Sequence, residues 1–121
     1  MSLCPHTTLA PKSGTYYIRL MRIIARKTLV DFWSQPSRGD AKADLTAWFN
    51  AVNGPGCDWA TPADVKASYR NASIVADNRV VFNIHGNTYR LVVKINYPYR
   101  VVYIRWIGTH AAYDKIDVTK V

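Results

Sequence analysis

The strongest constraint on the fold is residues 79–108, where three apolar-rich segments are separated by two short turns. "RVVFNIH" is followed by Gly86 and Asn87, which both tolerate the positive φ of a tight hairpin. "TYRLVVKINY" then leads through "PY" into "RVVYIRWIG". This pattern predicts an antiparallel meander with strands over residues 79–85, 88–97 and 100–108. One face of such a sheet must be buried, so other parts of the chain must cover it.

The segments before the meander predict that cover. "MRIIA" at residues 21–25 is short and β-prone, and it predicts an N-terminal strand. Three helices are then predicted: a short one that ends at Pro36, one with an apolar stripe from Ala41 to Val52, and one that begins at Thr61 and carries Lys66 and Arg70. We therefore predict an α+β fold in which the N-terminal strand and the helices pack on one face of a twisted antiparallel sheet. A short helix closes the C-terminus.

The length of 121 residues fits one domain. Residues 1–20 contain scattered proline, serine and glycine without apolar periodicity. We predict that they form a poorly ordered N-terminal extension and that residues 21–121 form the domain.

Several classes of protein are disfavoured by composition. No apolar run approaches the roughly 18 residues that a membrane span needs, and residues 1–20 lack the pattern of a secretory signal. We therefore predict a cytoplasmic protein that does not bind membranes. The two cysteines and three histidines have no metal-ligand spacing, so we expect no metal and no other cofactor.

The positive charge is concentrated in the second half of the chain. The net charge is +8, and residues 66–121 hold nine basic and three acidic side chains. A surface of this kind attracts polyanions, among which nucleic acid is the most common partner in the cytoplasm. The alternative is a solvated basic surface that serves only solubility.

Two-residue turns would separate the side chains of the meander into two faces, since opposed residues of antiparallel strands point to the same side. The apolar face would run from Val80 to Trp106. The other face, the predicted basic face, would carry mostly cationic side chains, which can bind phosphate or guard against edge pairing. Its members are Arg79, Asn83, His85, Arg90, Lys94, Tyr103 and Arg105.

The segment "GTHAAYDKI" follows the last strand directly. It places His110 just past the strand end, beside Arg90, and Tyr113 about one helical turn further along. A histidine can transfer protons near neutral pH, and arginine stabilises charge on a phosphoryl group.

The stretches "RVVFNIHGNTYRLVVKINY" and "VYIRWIGTHAAYDKID", with "MRIIARKTL" before them, resemble the HigB-type toxins of type II toxin–antitoxin modules. These belong to the RelE-like superfamily of mRNA interferases. The resemblance implies a RelE/ParE-like fold and a ribosome-associated endoribonuclease. Such an enzyme cleaves mRNA by attack of a ribose 2′-hydroxyl on the adjacent phosphate, needs no metal, and inhibits translation and growth.

The resemblance also implies roles for single residues. Arg90 matches an arginine that stabilises the phosphate, and His110 matches a position involved in proton transfer or phosphate contact. Tyr113 is a stacking or proton-donating residue by position, or else only a packing residue of the closing helix. Asn83 stands where some relatives have a lysine. The predicted RNA contacts are Arg79, Asn83, His85, Lys94 and Arg105, with Lys66 and Arg70 from the third helix.

The implied partners are mRNA on the ribosome and a cognate helix-turn-helix antitoxin of the HigA type. DNA would be contacted only through the antitoxin. Two other functions remain compatible with the residues. One is a non-catalytic RNA- or protein-binding module that uses the same basic face, and the other is a gyrase-directed toxin of the same fold.

Overall fold

A computed structural model describes residues 9–12, 15–18 and 20–121 of the chain. Strands β1 (Leu9–Lys12) and β2 (Thr15–Ile18) form a separate two-stranded antiparallel sheet. The prediction that residues 1–20 are a poorly ordered extension falls partly outside the described residues and stays a prediction.

The remaining strands form one five-stranded sheet in the order β3-β7-β6-β5-β4. They are β3 (Arg22–Ile24), β4 (Ser73–Val75), β5 (Arg79–Ile84), β6 (Tyr89–Asn96) and β7 (Val101–Thr109). Strands β4, β5, β6 and β7 pair with one another in antiparallel fashion, whereas β3 pairs with β7 in parallel. The predicted α+β class is confirmed, and the sheet is mixed because the N-terminal strand joins it in parallel.

Helices α1 (Arg26–Trp33), α2 (Lys42–Val52) and α3 (Pro62–Ser68) cover one face of this sheet, and α4 (His110–Tyr113) follows β7. A capping box starts α3: the Thr61 hydroxyl accepts from the Asp64 amide, and the Asp64 carboxylate accepts from the Thr61 amide.

The core lies between these helices and the sheet. Leu29 of α1 and Leu45 of α2 are fully buried, as is Val65 of α3. The rings of Trp48, Trp59 and Tyr69 surround Phe82 of β5 at centroid distances of 5.4, 6.0 and 5.2 Å. Because full burial of a large apolar side chain stabilises a fold by about 1.5–3 kcal/mol, this cluster anchors the helices on β5. The sheet side of the core is formed by Val80, Phe82, Ile84, Tyr89, Leu91, Val93, Ile95 and Val102.

Counting outward from the two turns predicts which residues lie opposite each other, and the structure confirms this pairing along β5 and β6 and in the first part of β7. Arg79 pairs with Lys94 and Asn83 with Arg90 across β5 and β6, and Lys94 pairs with Tyr103 across β6 and β7. The Thr88 amide donates to the His85 carbonyl over 3.2 Å, which closes the first turn around Gly86 and Asn87.

A β-bulge between Val92 and Val93 changes the register of the far half of β7. Counting outward from a two-residue turn at Pro98 and Tyr99 predicts Val92 opposite Arg105 and Arg90 opposite Ile107. Both pairs are wrong, because Val92 pairs with Trp106 and Arg90 with Gly108. Because of the extra residue in β7, the side chains after Arg105 point to the faces opposite to those predicted. Ile107 packs against the core, whereas Trp106 lies on the opposite face.

Candidate functional site

The face of the sheet opposite the helices carries most of the predicted site residues. We call it the second face. Val81 and Val92 on this face are buried although they lie outside the main core cluster, so its centre is covered. The main-chain oxygen of Val121 accepts from the guanidinium groups of both Arg79 and Arg105. The members of the second face are Arg79, Val81, Asn83, Arg90, Val92, Lys94, Tyr103, Arg105 and Trp106.

One end of the second face holds a group that we call the rim cluster: Arg90, Trp106 and Tyr113, together with His110 at the start of α4. The guanidinium carbon of Arg90 lies 5.9 Å from the centroid of the Tyr113 ring, and the Trp106 and Tyr113 centroids are 6.1 Å apart. Arg90 Nη1 also donates to the Asn87 carbonyl over 3.3 Å. The cluster therefore combines a partly exposed cation with two aromatic rings.

The backbone around His110 fixes where its side chain begins. The His110 amide donates to the Thr88 carbonyl over 3.0 Å, which ties the start of α4 to the β5–β6 turn. The Thr109 hydroxyl caps α4 by accepting from the Ala112 amide over 3.1 Å. The imidazole is 46% exposed, and its Nε2 lies 3.8 Å from Asp114 Oδ2. His110 thus presents an accessible ring that a neighbouring carboxylate can orient.

Trp106 and Gly108 belong to this site, but the sequence reasoning did not include them. A Cβ atom on Gly108 would lie 2.6 Å from Cη2 of Trp106, so the indole ring covers the glycine closely. A glycine inside a strand often marks a bulge or a close approach, and this signal was present in "RWIG". Gly108 makes room for the ring that contacts Tyr113.

The predicted position of His85 is wrong. His85 adopts φ 54°, so the alternation of strand side chains stops at Ile84. Its ring lies on the helix side of the sheet, where Nδ1 is 3.1 Å from Asp44 Oδ2 and Nε2 is 3.7 Å from Asp40 Oδ2. The structure therefore separates His85 from the second face.

Arg79 lies on the second face, as predicted, but its charge is buried there. Its side chain is only 6% exposed and donates to Asp77 over 2.6 Å as well as to Val121. Folding of the chain around Val121 over this part of the sheet explains the burial. A contact of Arg79 with RNA stays a prediction.

An acidic side chain, Asp77, lies beside the cationic side chains of this surface. Its carboxylate accepts from Arg79 over 2.6 Å and from Lys94 over 3.3 Å. These two hydrogen bonds lower the pKa of Asp77 below its ordinary value. The carboxylate also explains how the facing Arg79 and Lys94 side chains are tolerated, because like charges opposed across strands otherwise destabilise a sheet.

The remaining predicted contacts lie at the periphery. Lys66 binds the segment that follows its helix, where Nζ donates to the Arg70 and Ala72 carbonyls over 2.6 and 2.8 Å. Arg70 and the exposed Asn83 border one cavity of about 240 Å³ beside β5. Lys94 and Arg105 border a larger cavity on the second face, far along β6 from Arg90.

Within the described parts of the chain, no three histidine, cysteine or acidic side chains group as a metal site. No helix among these residues is long and apolar enough to span a bilayer.

The sequence matches the family model of the HigB toxin, described as the RelE-like toxic component of a toxin–antitoxin system, over residues 41–116. The chain belongs to the HigB toxin family. This confirms the resemblance drawn from the residues of the meander and of "GTHAAYDKI". No curated protein matches the sequence.

The matched range of the HigB family includes the whole rim cluster and both hairpins. Strand β3 and helix α1 precede the match, yet Leu29 and Phe32 of α1 lie in the same core as the matched residues. Membership in this family makes the protein the toxic component of a toxin–antitoxin system, which implies a cognate antitoxin.

Proposed function

We propose that this HigB-family toxin is a metal-independent endoribonuclease that cleaves mRNA on the ribosome and so inhibits translation and growth. The observation that carries the proposal is the rim cluster, in which an arginine and two aromatic rings meet at one end of the second face and the exposed His110 begins the adjoining helix. Phosphate binding, proton transfer and base stacking each need one of these residue types.

In the proposed reaction, a ribose 2′-oxygen attacks the adjacent phosphorus while the bond from phosphorus to the 5′-oxygen breaks. The 2′-hydroxyl loses its proton to a base and the 5′-oxygen gains one from an acid, which leaves a 2′,3′-cyclic phosphate and a 5′-hydroxyl. The step is redox-neutral, and proximity with charge stabilisation supplies most of its acceleration.

Arg90 is the proposed phosphate-binding residue. Its side chain is held between the Asn87 carbonyl and the Tyr113 ring, so the guanidinium group is positioned before substrate arrives. A planar guanidinium can donate two parallel hydrogen bonds to phosphate oxygens, which are strengthened as negative charge grows in the transition state.

His110 is the proposed general acid or base. Its ring is accessible and lies near the Asp114 carboxylate. The hydrogen bond from the His110 amide to the Thr88 carbonyl fixes the backbone from which the side chain extends. Tyr113 stacks against substrate or donates a proton, and Trp106 adds a second aromatic surface for a base. These contacts support a role for Tyr113 beyond packing of α4.

The proposed partners follow from the same surface. A cognate helix-turn-helix antitoxin of the HigA type would neutralise the toxin by covering the cationic second face or by keeping it from the ribosome. Contact with DNA would then come only through the antitoxin, and the toxin would act in the cytoplasm.

The test compares His110→Ala and Arg90→Ala with the parent toxin under inducible expression. Growth arrest and mapped 5′ ends of transcripts are measured. Loss of a general acid or base is expected to reduce cleavage by about 10²–10⁴-fold. His85→Ala is the matched control, since this histidine lies near the same turn but on the helix side of the sheet. It should leave cleavage intact.

Undiminished cleavage in both His110→Ala and Arg90→Ala would remove the site assignment. Growth arrest with intact transcripts would contradict the nuclease proposal. In that case, induction of the DNA-damage response would indicate a gyrase-directed toxin, and salt-sensitive RNA binding alone would indicate a non-catalytic module.

A further inference from the structure

A cavity of about 470 Å³ opens on the second face, at the opposite end of β6 from Arg90. We propose that it binds one nucleotide of single-stranded RNA that flanks the scissile phosphate, with the base on the ring of Tyr103 and a phosphate held by Lys94 and Arg105. The inference rests on the proposed function. The volume lies within the range of roughly 300–1,000 Å³ that is usual for small-ligand sites.

Tyr103 provides the stacking surface. Tyr103 is 37% exposed, and it lies in the wall of the cavity. Its neighbours on β6 and β3 are Lys94 and Ile24, which hold the strand on both sides. Exposed aromatic rings on a sheet surface are a common platform for unpaired bases.

The two cations of the cavity can accept a phosphate without leaving an acid unpaired. Lys94 donates to Asp77 over 3.3 Å, but Asp77 also accepts a shorter bond of 2.6 Å from Arg79. When Lys94 turns to a phosphate, Asp77 therefore keeps its buried partner. Arg105 uses Nε for Val121, and that bond does not involve its two terminal nitrogens.

Two amides complete the cavity wall, Asn78 and Asn96. The Asn96 side-chain oxygen accepts from the Tyr99 amide over 3.3 Å, which orients the group and leaves Nδ2 as a donor. Uncharged amides carry both donors and acceptors, so they suit the edge of a base better than a phosphate. The cavity should therefore favour particular bases at one position beside the cut.

The spacing of the two ends agrees with one continuous RNA strand. Arg90 and Lys94 are four residues apart on β6, which corresponds to about 13 Å along the strand. A single strand that crosses the second face can thus place one phosphate at Arg90 and a nucleotide a short distance away in the cavity.

The first experiment measures binding, independently of catalysis. A fluorescent 2′-O-methyl RNA oligonucleotide, which cannot be cleaved, is titrated with each variant. Tyr103→Ala should weaken binding about ten-fold or more, because it removes the ring on which one base stacks. Tyr103→Phe keeps the ring and should bind as the parent does. Tyr99→Ala removes a more exposed ring outside the cavity and should also bind normally.

Thermal unfolding of every variant accompanies the titration. If Tyr103→Ala does not fold, Tyr103→Leu replaces it, since leucine keeps apolar bulk but has no aromatic face. Equal binding by the parent and the non-aromatic variants would overturn the subsite. Equal loss in Tyr103→Phe and Tyr103→Ala would overturn the stacking of a base on this ring.

The second experiment maps transcript cut sites for the parent and Asn96→Ala. A changed base distribution at one flanking position among the remaining cuts is the expected result. An unchanged distribution in both Asn96→Ala and Asn78→Ala would overturn base selection by the cavity. Binding that depends on Tyr103 without any transcript cleavage would refute the proposed function but support the subsite.

Discussion

Replacement of Gly108 by alanine tests the geometry of the rim cluster most directly. The new Cβ would lie 2.6 and 2.7 Å from two ring atoms of Trp106, closer than carbon atoms approach in proteins. The backbone at Gly108 needs no positive φ, so the cost comes from the clash alone. Overpacking of this kind costs about 1–3 kcal/mol. We expect Gly108→Ala to lower the free energy of unfolding by that amount, measured by urea denaturation.

A double-mutant cycle isolates the clash. In a Trp106→Ala background the ring is gone, so adding Gly108→Ala should have almost no further effect on the free energy of unfolding. Gly39→Ala is the control for a general effect of replacing glycine. A Cβ there meets no atom within 4 Å, and the substitution should be neutral or stabilise by up to about 1 kcal/mol.

The same variant should also reduce toxicity, because the displaced indole can no longer contact Tyr113 as it does in the parent. Transcript cleavage per mole of folded protein is the readout. If Gly108→Ala is as stable and as active as the parent, Trp106 does not cover Gly108 and our description of the rim cluster is wrong.

Three further predictions concern charged and titrating groups. Arg79→Ala should lower the free energy of unfolding by about 1.5–3 kcal/mol, because it removes buried hydrogen bonds of a charged group, whereas Lys94→Ala should mainly weaken RNA binding. Burial raises the pKa of Tyr69 from 10.0 to about 12. The stability that the protonated Tyr69 contributes is therefore present below pH 10 and should be lost as the pH rises from 10 to about 12. In an alkaline titration, Tyr69→Phe should lose less of its free energy of unfolding than the parent. Hydrogen bonds from Arg79 and Lys94 lower the pKa of Asp77 below 3.8. The stability that the ionised Asp77 contributes is therefore present above pH 3.8 and is lost on acidification below it. In an acid titration, Asp77→Asn should lose less of its free energy of unfolding than the parent.

The parts of the fold that depend on local chemistry could be predicted from the sequence. Gly86 and Asn87 specified a tight turn, and the turn together with alternation specified the pairing of Asn83 with Arg90. The capping residues of α3 likewise marked its start at Thr61. In each case the residues that determine the structure are close together in the chain.

The errors came from long-range features. Regular alternation along β7 predicts Trp106 on the core face, and Gly108 is only a weak signal of the bulge that reverses it. The same alternation predicts a strand that includes His85, but His85 takes the left-handed conformation beside Gly86. The tail after Tyr113 has no periodicity, and its return to Arg79 and Arg105 could not be read from local pattern. Arg90 and Tyr113 lie side by side, as their positions in the sequence predict, whereas the contact of Trp106 with Tyr113 does not follow from local pattern, and a functional role for these residues stays a prediction.

The parallel pairing of β3 with β7 has a kinetic consequence. Arg22, Ile23 and Ile24 pair with residues 101–103, so roughly 80 residues of chain separate the two strands, and this long-range closure is expected to be slow compared with hairpin formation. During synthesis, the N-terminal strand must wait for almost all of the matched family range to leave the ribosome before the sheet can be completed. A nascent toxin therefore cannot complete this sheet until the residues of β7 have left the ribosome, and before that point β3 lacks its partner strand.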